Sequence, residues 1–157
     1  MDMQLPKPRA EHAFLQRLVG RWRVVPKGMP DHEDWIEEVR SLSGIWFVAE
    51  GRGRMPDGSE AATVLTLGHD SATGRYVGSW IGTMMEYLWV YDGELSPDGS
   101  TLSLYTTGPS CTETPGLQDY REQLIFTDDD RRLFTSSAKQ PDGSWKPFMT
   151  AEYFRLA

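Results

Sequence analysis

From Gly20 to the end of the chain, apolar and polar residues alternate with a period of two, interrupted by short turn-rich stretches. A period of two is the signature of strands with one face in and one face out. Trp22 and Val24 fall on one face of the first such segment, Arg21 and Arg23 on the other. After a turn-rich break from Pro26 to Pro30, alternating segments run over 35–42, 45–54, 62–67, 75–82, 84–91, 102–107, 119–126, 133–139 and 146–156. Gly68 to Gly74 predicts a loop, Tyr91-Asp92-Gly93 a turn, and Asp128-Asp129-Asp130 a hairpin tip. This series of about ten strands at regular spacing is that of an antiparallel meander. Only one stretch has a helical period. Ala10, Phe14 and Leu18 recur at i, i+4 and i+8 with Leu15 beside them, which predicts a helix over 9–19 that stops at Gly20. A helix of two to three turns does not stand alone, so it must lie on an apolar surface such as a barrel mouth. Residues 1–9, with Pro6 and Pro8, read as an extended arm.

The turns are the most specific local signal. Pro-Asp-Gly-Ser occurs at 56–59, 97–100 and 141–144. Proline presets the first dihedral, aspartate bonds back to its own backbone, and glycine takes positive φ. The residues flanking the three copies do not recur, so they are one turn reused and not the blades of a propeller. Antiparallel strands in this number close or pack as two sheets, and closure removes the edges that invite aggregation. The expected fold is therefore all-β: an up-and-down antiparallel β-barrel, residues 20–157, capped at one end by the N-terminal helix. Trp22 plugs one end and the last strand returns beside it. A chain of 157 residues fits a single domain.

Composition narrows the function classes. The net charge of −7 opposes binding to nucleic-acid phosphates, which needs clustered Lys and Arg. No apolar run approaches the ~18 residues of a membrane span, and the N-terminus lacks the apolar region of a signal peptide. The single cysteine, Cys111, forms no internal disulfide and fits a reducing cytoplasm. Six each of Trp, Tyr and Phe fit an aromatic core or cavity.

Candidate chemistry is sparse. His12, His32 and His69 show no metal spacing with one another, so no metal and no cofactor is expected. His12 reads as a surface or mouth residue, and His69 as half exposed beside an Asx turn made by Asp70. Cys111 has no basic neighbour in sequence to lower its pKa. The more informative feature is a set of polar residues on strand segments, intermixed with aromatics and methionines, as in small-ligand sites. The ligand-binding candidates are Trp46, Glu50, Tyr76, Trp80, Met84, Glu86, Tyr105 and Glu122, with Ser79, Met85, Tyr87, Trp89 and Arg121 nearby in the pattern. Period two says which residues share a face and leaves open which face is inside. If Trp80 is inside, so are Tyr76 and Gly78; if Glu86 is inside, Tyr87 and Trp89 are out. Three readings follow: a barrel that binds a small, partly apolar ligand; an enzyme using Glu50, Glu86 or Glu122 as a buried acid or base; and a homodimer joined through outer aromatics of the 84–91 segment.

Gly20-Arg21-Trp22, directly after a short helix and opening the first strand, resembles the G-x-W motif of the calycin superfamily, which includes lipocalins and fatty-acid-binding proteins. The resemblance implies that Trp22 sits at the closed end and that an arginine of the last strand, here Arg155, packs over it. A longer resemblance covers most of the chain: Leu15-x-x-Leu18-x-Gly20-x-Trp22, Leu67-Gly68-His69-Asp70, Gly74-Arg75-Tyr76-Val77-Gly78-Ser79-Trp80-Ile81, Tyr91-Asp92-Gly93, and Met149-x-x-Glu152 before Arg155. Together these are similar to the DUF1579 family, small bacterial proteins of uncharacterised function with a lipocalin-like barrel. That family more often has Gly-Tyr-Asp where this chain has Gly68-His69-Asp70, and an Asp-Ser pair where it has Gly82-Thr83. The resemblance implies a fold and no activity.

Overall fold

The structure, a computed structural model, describes residues 3–28, 33–110 and 115–157. His32 and Cys111 lie outside the described residues. A 3-10 turn at Ala10–His12 runs into a short helix, α1 (Ala13–Arg17). The strands are β1 (Gly20–Pro26), β2 (Trp35–Leu42), β3 (Trp46–Arg54), β4 (Glu60–Asp70), β5 (Arg75–Gly82), β6 (Trp89–Leu95), β7 (Thr101–Pro109), β8 (Leu117–Asp128), β9 (Arg131–Lys139) and β10 (Trp145–Arg155). Each pairs antiparallel with its neighbours in the chain, and β1 pairs with β10, so the sheet closes into an up-and-down barrel.

The three Pro-Asp-Gly-Ser segments are hairpin tips of one design. Asp57 Oδ1 accepts from the amide and hydroxyl of Ser59 at 2.9 and 2.5 Å. Asp98 does the same for Ser100 and Asp142 for Ser144. The glycines take φ of 86°, 74° and 87°. Two tips lie at one end of the barrel, β3–β4 and β9–β10; the third, β6–β7, lies at the other.

That other end is shut. Trp22 is fully buried, and its indole N–H donates to the carbonyl of Leu18 at 2.8 Å, so the polar atom of a core residue is satisfied. Phe14, Leu15 and Leu18 bury the apolar stripe of the helical segment against this end, with Phe14 edge-on to Phe126. Arg155 is the direct cross-strand neighbour of Trp22, and its guanidinium lies 4.2 Å from the indole ring. It also donates to the carbonyls of Val19 and Arg17, both at 2.7 Å. One side chain of the last strand thus covers the tryptophan and satisfies carbonyls that a helix end leaves free. Gly20 has φ of 134°, and a Cβ there would stand 2.5 Å from the Ala157 carbonyl oxygen. The glycine of G-x-W is required twice, by conformation and by space.

Several local expectations are corrected. The helix is a 3-10 turn plus one short α-helical segment; Leu18 and Val19 already belong to its exit. β4 runs through Gly68, His69 and Asp70, which pair with Val77, Tyr76 and Arg75, because a turn of Ser71–Gly74 suffices once Gly74 takes φ of 73°. Tyr91, Asp92 and Gly93 are strand, paired with Gly78, Val77 and Tyr76. The sixth strand begins at Trp89, and residues 83–88 form the connection before it. Of the strand expected over 84–91, the segment named for a dimer face, only Trp89, Val90 and Tyr91 are strand. His12 is buried, because its ring packs under the arm and near His69.

One seam is incomplete. β6 pairs with β7 only from Asp92–Tyr105 to Leu95–Leu102, whereas β7 continues to Pro109 beside β8. Where the ladder stops, the Tyr87 hydroxyl donates to the Thr107 carbonyl at 3.0 Å. The Trp89 ring lies against Gly108, where a Cβ would come within 2.1 Å of it.

Candidate functional site

The barrel is closed by Trp22 at one end and hollow above it. Inside is a cavity of about 390 Å³ that opens at the end opposite the helix. Its rim is apolar: Pro26, Trp35, Met55, Met84, Met85, Phe148 and Met149. Methionine suits such a rim because its unbranched chain refills gaps of different shape. Trp35 fits there because Gly51 and Gly53 on β3 have no Cβ; at Gly53 one would stand 2.4 Å from the indole. Below the rim the wall is Val24, Leu65, Trp80, Trp89, Leu104, Tyr120, Phe134 and Ala151. Trp89 stands edge-on to Tyr120 at 5.4 Å and donates its indole N–H to the sulfur of Met85 at 3.0 Å.

A few polar groups interrupt this wall. Glu122 on β8 faces Leu104 on β7 and Ser136 on β9 across the sheet. The Ser136 hydroxyl donates to Glu122 Oε2. No cation pairs with Glu122 among the described residues, and its Oε1 accepts no hydrogen bond from them. Burial pushes its carboxyl up to about 7, with the Ser136 bond pulling the other way. Part of its surface nonetheless stays accessible, because that surface is cavity wall. Tyr91 and Tyr153 also line the cavity, and burial raises both phenols, the charge of Glu122 adding to each. Both phenols therefore stay neutral near neutral pH.

Deeper, Arg132 donates to Glu37 Oε1 at 2.7 Å, with the arginine almost fully buried. Its guanidinium lies 3.9 Å from the ring of Tyr153 and 4.6 Å from that of Trp22. This pair forms the boundary between the cavity and the plugged end: Glu37 lines the cavity and Arg132 does not. Among the described residues no three His, Cys, Asp or Glu side chains come together as a metal site.

Of the residues singled out in the sequence, Trp80, Met84 and Glu122 line the cavity. Tyr76 points inward as well, but at the plugged end, where its hydroxyl donates to the Glu11 carbonyl at 2.6 Å. Trp46, Glu50 and Tyr105 point outward. Trp46 covers Gly68 on the adjacent strand, Glu50 pairs with Arg40 at 3.3 Å, and the Tyr105 hydroxyl donates to Glu94 at 3.0 Å. Tyr105 joins Trp145, Asp92, Asp119 and Lys139 in a separate polar cleft on the outer wall. Glu86 lies exposed in the β5–β6 connection, off the cavity lining. For Trp46, Glu50 and Tyr105 the physical reason is the same: alternation pairs faces without assigning them, and the interior belongs to the face of Phe47, Ala49 and Gly51 on β3 and of Leu104 on β7; Glu86 lies before β6 begins and has no strand face. Glu37, Tyr91, Ser136 and Tyr153 were missed. Glu37 shares a face with Trp35 and Val39 in the sequence pattern, and a carboxylate on an otherwise apolar face was the signal available for it.

Residues 7–155 match the family described as a protein of unknown function, DUF1579, which spans nearly the whole chain. A comparison with curated proteins finds no match.

Proposed function

The chain belongs to the DUF1579 family, and on that premise we propose that it binds a small, largely apolar ligand inside the barrel. One observation carries the reading: a cavity of about 390 Å³, apolar on most of its wall, closed below and open above, with a handful of polar groups at defined positions. Ligand pockets are commonly of roughly 300–1,000 Å³ with this division of apolar wall and sparse polar contacts. A barrel built for stability alone would fill that space with side chains. Trp35, Trp80 and Trp89 in the lining supply a direct readout. Titration with the neutral fluorophore N-phenyl-1-naphthylamine should show energy transfer from tryptophan to saturable bound probe. The variant Ala151→Phe, which places a ring in the cavity, should lose it while keeping its thermal transition. Equal binding in the filled variant, or none in the native protein, overturns the reading.

A second reading has one specific observation behind it. A buried carboxyl poised near pH 7 is suited to moving protons on a bound molecule, and Glu122 is the only one of the three sequence candidates that faces the interior. It predicts turnover of a ligand co-purifying from the native host, lost in Glu122→Gln. Recovery of that ligand unchanged after prolonged incubation with native protein counts against it.

A further inference from the structure

We propose that the ligand of this cavity carries a cationic end, a primary or secondary ammonium that seats on the free oxygen of Glu122 while its apolar body fills the space toward the rim. The proposal rests on the reading of the interior as a ligand site and adds the chemistry of the head group.

The argument begins with the charges available inside. A barrel that anchors a carboxylate or phosphate needs an inward cation with donors to spare. Two arginines face the interior at the plugged end, and both sit below the cavity. Arg132 donates to Glu37 at 2.7 Å and lies against the rings of Trp22 and Tyr153; its Nε has no partner among the described residues but is buried away from the cavity lining. Arg155 is spent on the carbonyls of Val19, Arg17 and Asp129. Neither lines the cavity. An anionic head group would enter a space whose two charged lining residues are the carboxylates Glu37 and Glu122. One of these is neutralised by Arg132; the other is not.

Glu122 is the group without a counterpart. Ser136 occupies Oε2, and Oε1 takes no donor from the described residues, although it belongs to a side chain that forms part of the cavity wall. A buried carboxylate left in this state is costly unless something pairs with it. An ammonium brings what the site lacks, a positive charge with several N–H donors. One donor goes to Oε1. The phenol oxygens of Tyr91 and Tyr153, which make no hydrogen bond with the described residues, are neutral acceptors on the same lining. Trp80, Trp89 and Tyr120 line the same space, and an aromatic ring whose face meets a cation attracts it. A lone carboxylate with a serine is too poor a donor set for a divalent metal.

The titratable groups that interact with Glu122 are Tyr91 from β6 and Tyr153 from β10; Glu37 from β2 shares the lining but is paired with Arg132 from β9, and the cross-strand neighbours Leu104 from β7 and Ser136 from β9 are neutral. Burial brings the ionisation of Glu122 near neutrality. Ammonium binding should therefore strengthen as pH rises through 7 and release a proton when it occurs below that point.

Calorimetry of native protein and Glu122→Gln with n-octylamine, n-octanol and octanoate tests this, because the three share one body and differ in the head. At roughly pH 8, octylamine should bind at least about tenfold tighter than octanol, the scale of a hydrogen bond to a charged group, and octanoate should bind weakest. At roughly pH 5.5 the amine-to-alcohol ratio should fall toward one. In Glu122→Gln the ratio should be near one at both. If the variant does not fold, proton release measured in buffers of different ionisation enthalpy decides on native protein: uptake of octylamine near pH 6.5 should release protons and uptake of octanol should not. Octanol binding with no amine preference, tightest binding by octanoate, or amine binding without proton release overturns the head-group proposal alone. Failure of all three ligands and of the neutral fluorophore overturns the interior-site reading beneath it.

Discussion

Glu122→Gln should make the protein more stable at alkaline pH and leave it unchanged at acid pH. The unfolded carboxyl titrates near 4.5, and in the barrel burial raises it to about 7. Because the folded state holds the proton more tightly than the unfolded one, stability from this group is fully present below 4.5 and is lost as pH rises through 7. At about 1.36 kcal/mol for each pKa unit, the difference amounts to about 3 kcal/mol. Glutamine is the appropriate replacement, since its carbonyl still accepts the Ser136 hydroxyl while carrying no charge. Equilibrium unfolding in urea, followed by tryptophan fluorescence at roughly pH 4 and pH 8, measures it. The two proteins should have nearly equal stability at the lower pH. At the higher pH the variant should exceed the native protein by about 3 kcal/mol. Other groups are shifted as well, among them His12, whose pKa burial and then Arg9 lower. They are common to both proteins and cancel in the difference. Parallel pH profiles for the two proteins would show that Glu122 is not desolvated, and the account of the cavity wall would fail with it.

Two further outcomes test the plugged end. Trp22→Ala should cost about 3–5 kcal/mol, the scale for a buried aromatic, in the same urea assay, and unchanged stability accompanied by lost ligand binding would move Trp22 from the plug to the site. Arg132→Met should cost about 3–5 kcal/mol because it strands the Glu37 carboxylate; adding Glu37→Leu should recover most of that loss, and a double variant no more stable than the single one refutes the pairing argument.

The frame of this barrel is legible in the sequence because its strongest determinants are local. Aspartate-glycine tips close on their own atoms at Asp57, Asp98 and Asp142, and Gly20 carries a conformation few other residues adopt. The contact of Trp22 with Arg155 follows once the last strand returns to the first. The site is less legible because it depends on which face is inside, and that choice is collective. Trp46 and Trp80 look equivalent in their alternating runs, yet one lies over Gly68 on the outside and the other lines the cavity. Glu50 and Glu122 are likewise carboxylates in alternating runs; Arg40 on the neighbouring strand gives Glu50 an exposed partner, whereas Glu122 faces Leu104 and Ser136. The position of the sixth strand was obscured by Met84 to Tyr91, whose alternation is good but whose first five residues serve the connection and rim instead.

The incomplete seam between β6 and β7 bears on how wide a guest the barrel admits. Where backbone ladders run to the rim, the perimeter is fixed, and stretching it breaks several hydrogen bonds together. Here the lacing stops at Asp92–Tyr105, and from there upward the perimeter is held by the Tyr87 hydroxyl on Thr107 and the Trp89 ring against Gly108. Swinging those two side chains aside gives up two side-chain hydrogen bonds, Tyr87 to Thr107 and Trp89 to Met85, each on the order of 1 kcal/mol, plus the ring contacts of Trp89, and leaves the backbone ladders intact. The entrance therefore behaves like a collar with one open fastening: its girth yields on the β6–β7 side and nowhere requires the sheet to unzip.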